Sequence, residues 1–277
     1  MSADFSPIRL NSVRANKRFG QHFLVDRGVI DDIVRAIAPR AGDNLIEIGP
    51  GPGVLTAPLV HATGRIRAIE IDRELAPRLQ AHFGEALELI HQDVLQVDFN
   101  TFGERQRIVG NLPYNISSPL LLHLIPVAHL VVDQHFMLQK EVVDRIVAQP
   151  GGNMGRLSVF LQNHYHVAQL FDVPPAAFDP PPKVESSIVR MVPRAKPETP
   201  HVPQLEKALG VAYAQRRKML RKTLGSWLAQ QYPALDLMAA ATADPRLAPL
   251  TDLSQRAEDI PAPAWYALAD AMAAAHQ

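Results

Sequence analysis

A chain of 277 residues, 47% apolar and 20% charged, can bury a sizeable core, and its length fits one large domain with a smaller companion, excluding a disordered polypeptide. It has no cysteine, which excludes disulfide frameworks, thiolate metal sites and cysteine nucleophiles, and fits a reducing, cytoplasmic setting. No apolar run approaches the roughly 20 residues of a membrane span, and the first 20 residues hold no secretory h-region.

The 28 basic and 28 acidic residues balance, but they are not evenly spread. Residues 190–222 carry nine Lys/Arg against two carboxylates, a net of +7. Residues 41–100 stand at −5 and 229–277 at −4. Opposed blocks of this kind point to one surface that meets a polyanion and another that does not.

In chain order, Asp26 is placed to cap a helix carrying Val29, Ile30, Ile33, Val34 and Ile37, ended by Pro39 and Gly42. Asn44–Ile48 reads as a buried strand, Val54–Val60 as a helix, Ile66–Ile71 as a strand, Leu75–Phe83 as a helix and Leu87–His91 as a strand. Ile108–Gly110 is a further strand end, followed by Val131–Leu138, a helix over Glu141–Ala148 and a strand over Ser187–Val192. Strands alternating with helices at this pace imply βαβ units on a parallel sheet. Nine of the 24 prolines lie between Pro174 and Pro203, a density that excludes regular helix or central strand. From Leu205 onward the pattern is helical. The expected division is an α/β domain over 1–196 and an all-helical domain over 197–277.

The segment LIEIGPGPGVLT, Leu45–Thr56, is a strand, a glycine turn and a helix start. Its spacing, Gly49-x-Gly51-x-Gly53, departs from the G-x-G-x-x-G of dinucleotide sites, and Glu47 would repel a pyrophosphate. A cofactor with a cationic amine and no phosphate is compatible with that carboxylate. A tight strand-to-helix turn would explain the glycines alone. Glu70 and Asp93, however, follow at the next two strand ends, where one can accept both hydroxyls of a ribose and the other a hydrogen bond from an adenine amine. The three together resemble the adenosine site of S-adenosylmethionine-dependent methyltransferases.

After the strand ending at Gly110 comes Asn111-Leu112-Pro113-Tyr114, then Ser118-Pro119 as N-cap and first residue of a helix. A purine exocyclic amine is a poor nucleophile because its lone pair is delocalised into the ring. The Asn111 amide oxygen and an adjacent backbone carbonyl can accept both amine hydrogens and favour a pyramidal nitrogen. Tyr114 can stack on the extruded base. No general base is needed.

KRFGQHFL, EIGPGPG, the IEID and QD strand ends, NLPYNIS, FMLQKEV, GRLSVFLQ and FDPPPKVESSIVR are together similar to the ribosomal RNA adenine N6,N6-dimethyltransferase family, in its bacterial small-subunit branch. The similarity runs from Lys17 to Arg194, and QRRKMLRKTL (Gln215–Leu224) continues it. The resemblance implies a Rossmann-like methyltransferase domain and S-adenosyl-L-methionine as cofactor. It further implies dimethylation of two adjacent adenosines in a hairpin loop near the 3′ end of 16S rRNA, with a role in late 30S assembly. Carried over by position, the cofactor contacts are His22, Leu24, Gly49, Glu70, Asp93 and Asn111, with Asn111, Leu112, Pro113 and Tyr114 forming the catalytic turn; at His22 the family often has asparagine.

On the substrate side, Phe178 is expected to face the base, or else to anchor the proline-rich loop. Arg216, Arg217, Lys218, Arg221 and Lys222 are expected on one RNA-facing helix. His164 and His166 share an expected strand face with no third ligand, so no metal site is expected. A monomer is expected. Rival readings are a resistance-type enzyme acting on 23S rRNA, a non-catalytic assembly factor, and, disfavoured by Glu47, a dehydrogenase.

Overall fold

A computed structural model describes residues 6–7, 21–151, 154–215 and 217–275. The KRFG segment and Arg216 lie outside the described residues. The chain divides into two compact units. One holds the residues up to Val143 together with Val167–Pro193; the other holds Asp144–His166 and the residues from Arg194 onward.

The first unit begins with β1 (Phe23–Leu24) and α1 (Arg27–Ile37), whose first turn is closed by the Asp26 carboxylate accepting the Val29 N–H at 3.2 Å. Then come β2 (Asn44–Ile48), α2 (Thr56–Thr63), β3 (Ile66–Glu70), α3 (Leu75–Phe83), β4 (Leu87–His91), β5 (Gln106–Asn111), α4 (Ser117–His123) and β6 (Val131–Gln139). After α5 (Lys140–Ile146) and α6 (Arg156–His164), β7 (Tyr165–Val173), β8 (Phe178–Asp179) and β9 (Ser186–Pro193) complete the strands.

The main sheet has the order β4-β3-β2-β5-β6-β9-β7, with β4 through β6 parallel and β9 antiparallel to β6. The expected parallel sheet is therefore a mixed one, Rossmann-like in its parallel part. Its parallel strands are buried apolar runs, as sheets covered on both faces require: Leu45, Ile46 and Ile48 of β2, and Ile108 and Val109 of β5. Chain order reverses between β2 and β5, the position where open α/β sheets bind ligands at their carboxyl ends. Gly110 lets these strands approach, since a Cβ there would sit 2.5 Å from the Ile48 carbonyl oxygen. Arg107 of β5 locks the opposite end: it meets Asp133 at 2.8 Å, Asp43 at 2.7 Å and the Ile37 carbonyl at 2.6 Å.

Three expectations are corrected here. β9 lies inside the sheet, between β6 and β7, because the prolines flank it at Pro182 and Pro193 rather than interrupt it. α4 starts at Ser117, with Ile116 rather than Ser118 at the cap position; the Ser117 hydroxyl donates back to the Pro113 carbonyl at 3.2 Å. His164 ends α6 while His166 lies in β7, so the two do not share a strand face.

The second unit is built from α6, α7 (Val202–Tyr213), α8 (Leu224–Gln231), α9 (Leu237–Ala243) and α10 (Ala262–Ala274). α10 is buried nearly all round through Trp265, Tyr266, Leu268 and Met272, so it is the axis of that core. Residues 144–166 group with this unit because Met154, Val159 and Phe160 enter the same core, and the Tyr266 hydroxyl donates to the Val159 carbonyl at 2.9 Å. The boundary expected at 196 falls at 193, with this earlier stretch added to the helical side. Among the described residues, no helix is long and apolar enough to cross a membrane.

Candidate active site

A cavity of about 290 Å³ opens at the carboxyl ends of β2, β3, β4 and β5. The turn after β2 forms its floor, and Gly49, Gly51 and Gly53 there take φ of +65°, +57° and +82°. A Cβ on Gly53 would also lie 2.9 Å from the Phe83 ring, so both conformation and space require glycine at that position. The Gly49 N–H donates to the Ile69 carbonyl at 2.9 Å, which ties the turn to β3.

Glu70 ends β3 at 3% exposure. Its Oε2 accepts the Gly51 N–H at 3.2 Å and its Oε1 the Asp72 N–H at 2.9 Å. Burial pushes its carboxyl above the usual range, while these backbone donors oppose the shift. Each oxygen keeps a second lone pair, so the group can still accept two hydroxyls. Asp93 takes the Leu95 N–H at 3.0 Å on Oδ1, leaving Oδ2 without a partner among the described residues. Ile71, 44% exposed despite being apolar, and Val94 line the cavity beside these acids and form walls suited to a flat ring.

Glu47 sits beneath the turn at 2% exposure, with the Thr56 hydroxyl donating to Oε2 at 2.6 Å. Burial pushes this carboxyl up to about 7; the Thr56 bond acts against that and the neighbouring Glu70 adds to it. Sequence reading passed over Thr56. Its signal is a polar residue closing an otherwise apolar turn, on the first turn of α2.

At the end of β5 the Asn111 side-chain amide donates to the His22 carbonyl at 3.2 Å. A carbonyl can only accept, so the Asn111 nitrogen must face it, and Oδ1 is left with no partner among the described residues. The Leu112 N–H is held by the Met137 carbonyl at 3.2 Å, whereas its own carbonyl accepts nothing from a described residue. The Pro113 carbonyl is occupied by the Ile116 N–H at 3.1 Å. Two acceptors on adjacent residues, one side chain and one main chain, thus have no partner among the described residues.

Tyr114 is half-buried; its hydroxyl pairs with the Ser186 hydroxyl at 3.0 Å and its ring stacks on His22 at 5.9 Å between centroids. The His22 Nδ1 lies 2.7 Å from the Pro180 carbonyl. Leu24 reaches the cavity from β1, which pairs with β8. The structure thus brings His22, Leu24, Gly49, Glu70, Asp93 and the 111–114 turn together.

Phe178 is not among them. It is 4% exposed in the core with Leu24, its register partner, and so anchors β1 instead of facing a base. The basic segment is not one helix either. α7 stops at Tyr213 and a turn follows, because Leu220 is drawn into the helical core while its N–H and that of Arg221 donate to the Gln255 and Leu253 carbonyls at 2.8 Å. Arg217, Lys218, Arg221 and Lys222 are exposed there, and none makes an ion pair with a described residue.

A reversal point in a Rossmann-like sheet, ribose-capable and adenine-capable acids on successive strand ends, and paired acceptors for an amine define an adenosine-binding group-transfer enzyme. The ribosomal RNA adenine dimethylase family model matches residues 12–241. Proteins named "Ribosomal RNA small subunit methyltransferase A" are similar: that of Bordetella petrii is 52% identical, over 90% of this chain and 98% of its own. That of Variovorax paradoxus is 49% identical over 93% and 97%. A dimethyladenosine transferase from Plasmodium falciparum superposes with TM-score 0.73 at 25% identity, covering 89% of this chain and 96% of its own. The 23S rRNA methyltransferase ErmE superposes at TM-score 0.69 and 24% identity over 91% and 99%, a likeness of fold.

The chain belongs to the ribosomal RNA adenine dimethylase family. It is an S-adenosyl-L-methionine-dependent methyltransferase. The cavity fits that cofactor: among the described residues its wall holds Glu47, Glu70 and Asp93 and no Lys or Arg, which suits a cationic, phosphate-free adenosine.

Proposed function

We propose that the protein transfers methyl groups to N6 of two adjacent adenosines in a hairpin loop near the 3′ end of small-subunit ribosomal RNA. It does so late in assembly of the 30S particle, as a cytoplasmic monomer. The small-subunit names of its relatives support the substrate, and the arrangement of Asn111 carries the chemistry.

The cofactor, held by His22, Leu24, Gly49, Glu70, Asp93 and Asn111, supplies an electrophilic methyl group on a cationic sulfur. Glu70 would accept the ribose hydroxyls and Asp93 the adenine amine, with the apolar Ile71 and Val94 lining the cavity beside them. At the target base, Asn111 Oδ1 and the Leu112 carbonyl accept the two hydrogens of the unmethylated amine, or the one that remains after the first transfer; each transfer leaves a cationic nitrogen that gives its proton to water. Drawing those hydrogens out of the ring plane localises the nitrogen lone pair and aims it, an orientation effect realised mainly in the transition state. Pro113 fixes the turn by its locked φ. Tyr114, backed by His22, offers its free face to the extruded base. Arg217, Lys218, Arg221 and Lys222, with Arg216, hold phosphates.

Mass mapping of 16S rRNA from a strain lacking the gene tests the assignment. Loss of two adjacent dimethyladenosines, restored by the parent gene but not by Asn111→Ala, is expected. Unmodified adenosines confined to 23S rRNA would contradict it.

A further inference from the structure

With Phe178 in the core, the segment FDPPPKVESS has no part in the scheme above. Two of its residues nevertheless reach the site. The Pro180 carbonyl lies 2.7 Å from His22 Nδ1, which must carry the proton there because a carbonyl only accepts. The Ser186 hydroxyl pairs with that of Tyr114 at 3.0 Å. The two rings held in this way are the ones that stack, with 25° between their planes. One segment thus grips both members of the pair, and both line the cavity.

Ser186 opens β9 at 1% exposure, opposite Gln139 at the end of β6. Because β6 lies between β5 and β9, the tyrosine that follows β5 meets a strand two places along the sheet. A buried hydroxyl costs free energy unless it is hydrogen-bonded, and an alanine would sit in β9 without that cost. A phenylalanine would stack on a base as well as a tyrosine does, so stacking does not require the phenol oxygen. Burial holds the Tyr114 phenol above its ordinary range, the Ser186 bond acting against that, so its oxygen stays protonated at neutral pH and is a bonding group rather than a base. Neither strand packing nor stacking calls for these two hydroxyls, and what their contact fixes is the swing of the Tyr114 ring.

We propose that Ser186 is a positioning residue for the methyl transfer: it holds the tip of Tyr114 while His22 backs one face, so that the extruded adenine stacks in a single orientation with its amine at Asn111. This rests on Tyr114 being the platform for the base.

Single-turnover methylation of 30S particles by the full chain, with cofactor and particles saturating, tests this in the parent, Ser186→Ala, Tyr114→Phe, the double variant and Tyr114→Ala. Tyr114→Phe breaks the same contact from the other end and leaves β9 untouched. The rate should fall by about threefold to tenfold in Ser186→Ala and by a similar factor in Tyr114→Phe. The double variant should be no slower than the slower single one, because one contact can be lost only once. Affinity for the particle should change by less than about twofold, since phosphate contacts dominate it. A serine that only supports the fold would lower the melting temperature and leave the saturated rate at the parent's value. That result, a parent rate in Tyr114→Phe, or losses that multiply in the double variant would overturn the proposal. If Tyr114→Ala is slow while Ser186→Ala and Tyr114→Phe match the parent, the inference alone fails; if Tyr114→Ala also matches the parent, the platform reading fails with it.

Discussion

Glu70 and Gly51 are joined by a hydrogen bond of 3.2 Å that closes the glycine turn against the end of β3 before any ligand enters. The carboxylate therefore shapes the floor of the cavity as well as offering acceptors to it. Glu70→Ala should weaken S-adenosylmethionine binding by roughly 1.5–3 kcal/mol, since a charged acceptor is removed from a desolvated site. Glu70→Gln should fall between, because both oxygens now accept backbone N–H groups and an amide satisfies only one of them. Calorimetry is the measurement, and an unaltered affinity in Glu70→Ala would take the residue out of the site.

The basic segment should act on RNA alone. Replacing Arg217, Lys218 and Lys222 with alanine should weaken RNA binding and lower the slope of log affinity against log salt by about 0.7–0.9 for each phosphate no longer neutralised. Cofactor affinity should stay unchanged. Filter binding over a range of salt decides it; an unaltered slope would make these residues a solvated surface only.

Two buried groups give the fold opposite responses to pH. Burial lowers His135 to about 4, partly offset by Asp133 at 3.9 Å, with Arg190 and Arg107 adding to the fall. The unfolded chain thus binds that proton first, and the stability His135 permits at neutral pH is lost as pH falls from 6.5 toward 4. Glu47 is raised to about 7 from 4.5, so the unfolded chain ionises first and its contribution is lost as pH rises through that window. The two slopes offset each other in the parent. In urea titrations, Glu47→Gln should stabilise the ligand-free protein at about pH 8, by about 3 kcal/mol at most, and have little effect at about pH 4. His135→Gln should narrow its stability deficit against the parent as pH falls. A Glu47→Gln effect independent of pH would contradict the assignment.

The sheet was legible because its strands are short apolar runs bounded by glycine or acid. Asn44–Ile48, Leu75–Phe83 and Leu87–His91 occupy the residues that periodicity marks. The glycine turn, Glu70, Asp93 and Asn111 were legible for a related reason: each follows a strand end directly, so one-dimensional spacing carries three-dimensional meaning. Phe178 was not, because its burial depends on pairing with Leu24, more than 150 residues away in the chain. The break after Tyr213 was hidden too. Nothing in QRRKMLRKTL opposes a helix locally, and it is Leu220, held by the 253–255 segment, that ends it. Residues 144–166 belong to the helical unit through Phe160 and Val159, whose packing chain continuity cannot reveal.

The central claim is that Asn111 prepares the amine for attack rather than binding the RNA. Single-turnover methylation of 30S particles, with cofactor and RNA saturating, tests it most directly. Asn111→Ala removes Oδ1 but keeps the Leu112 carbonyl, so the rate should fall on the order of a hundredfold or more, about 3 kcal/mol, while RNA affinity changes little. A rate within about threefold of the parent, less than 1 kcal/mol, would contradict the account.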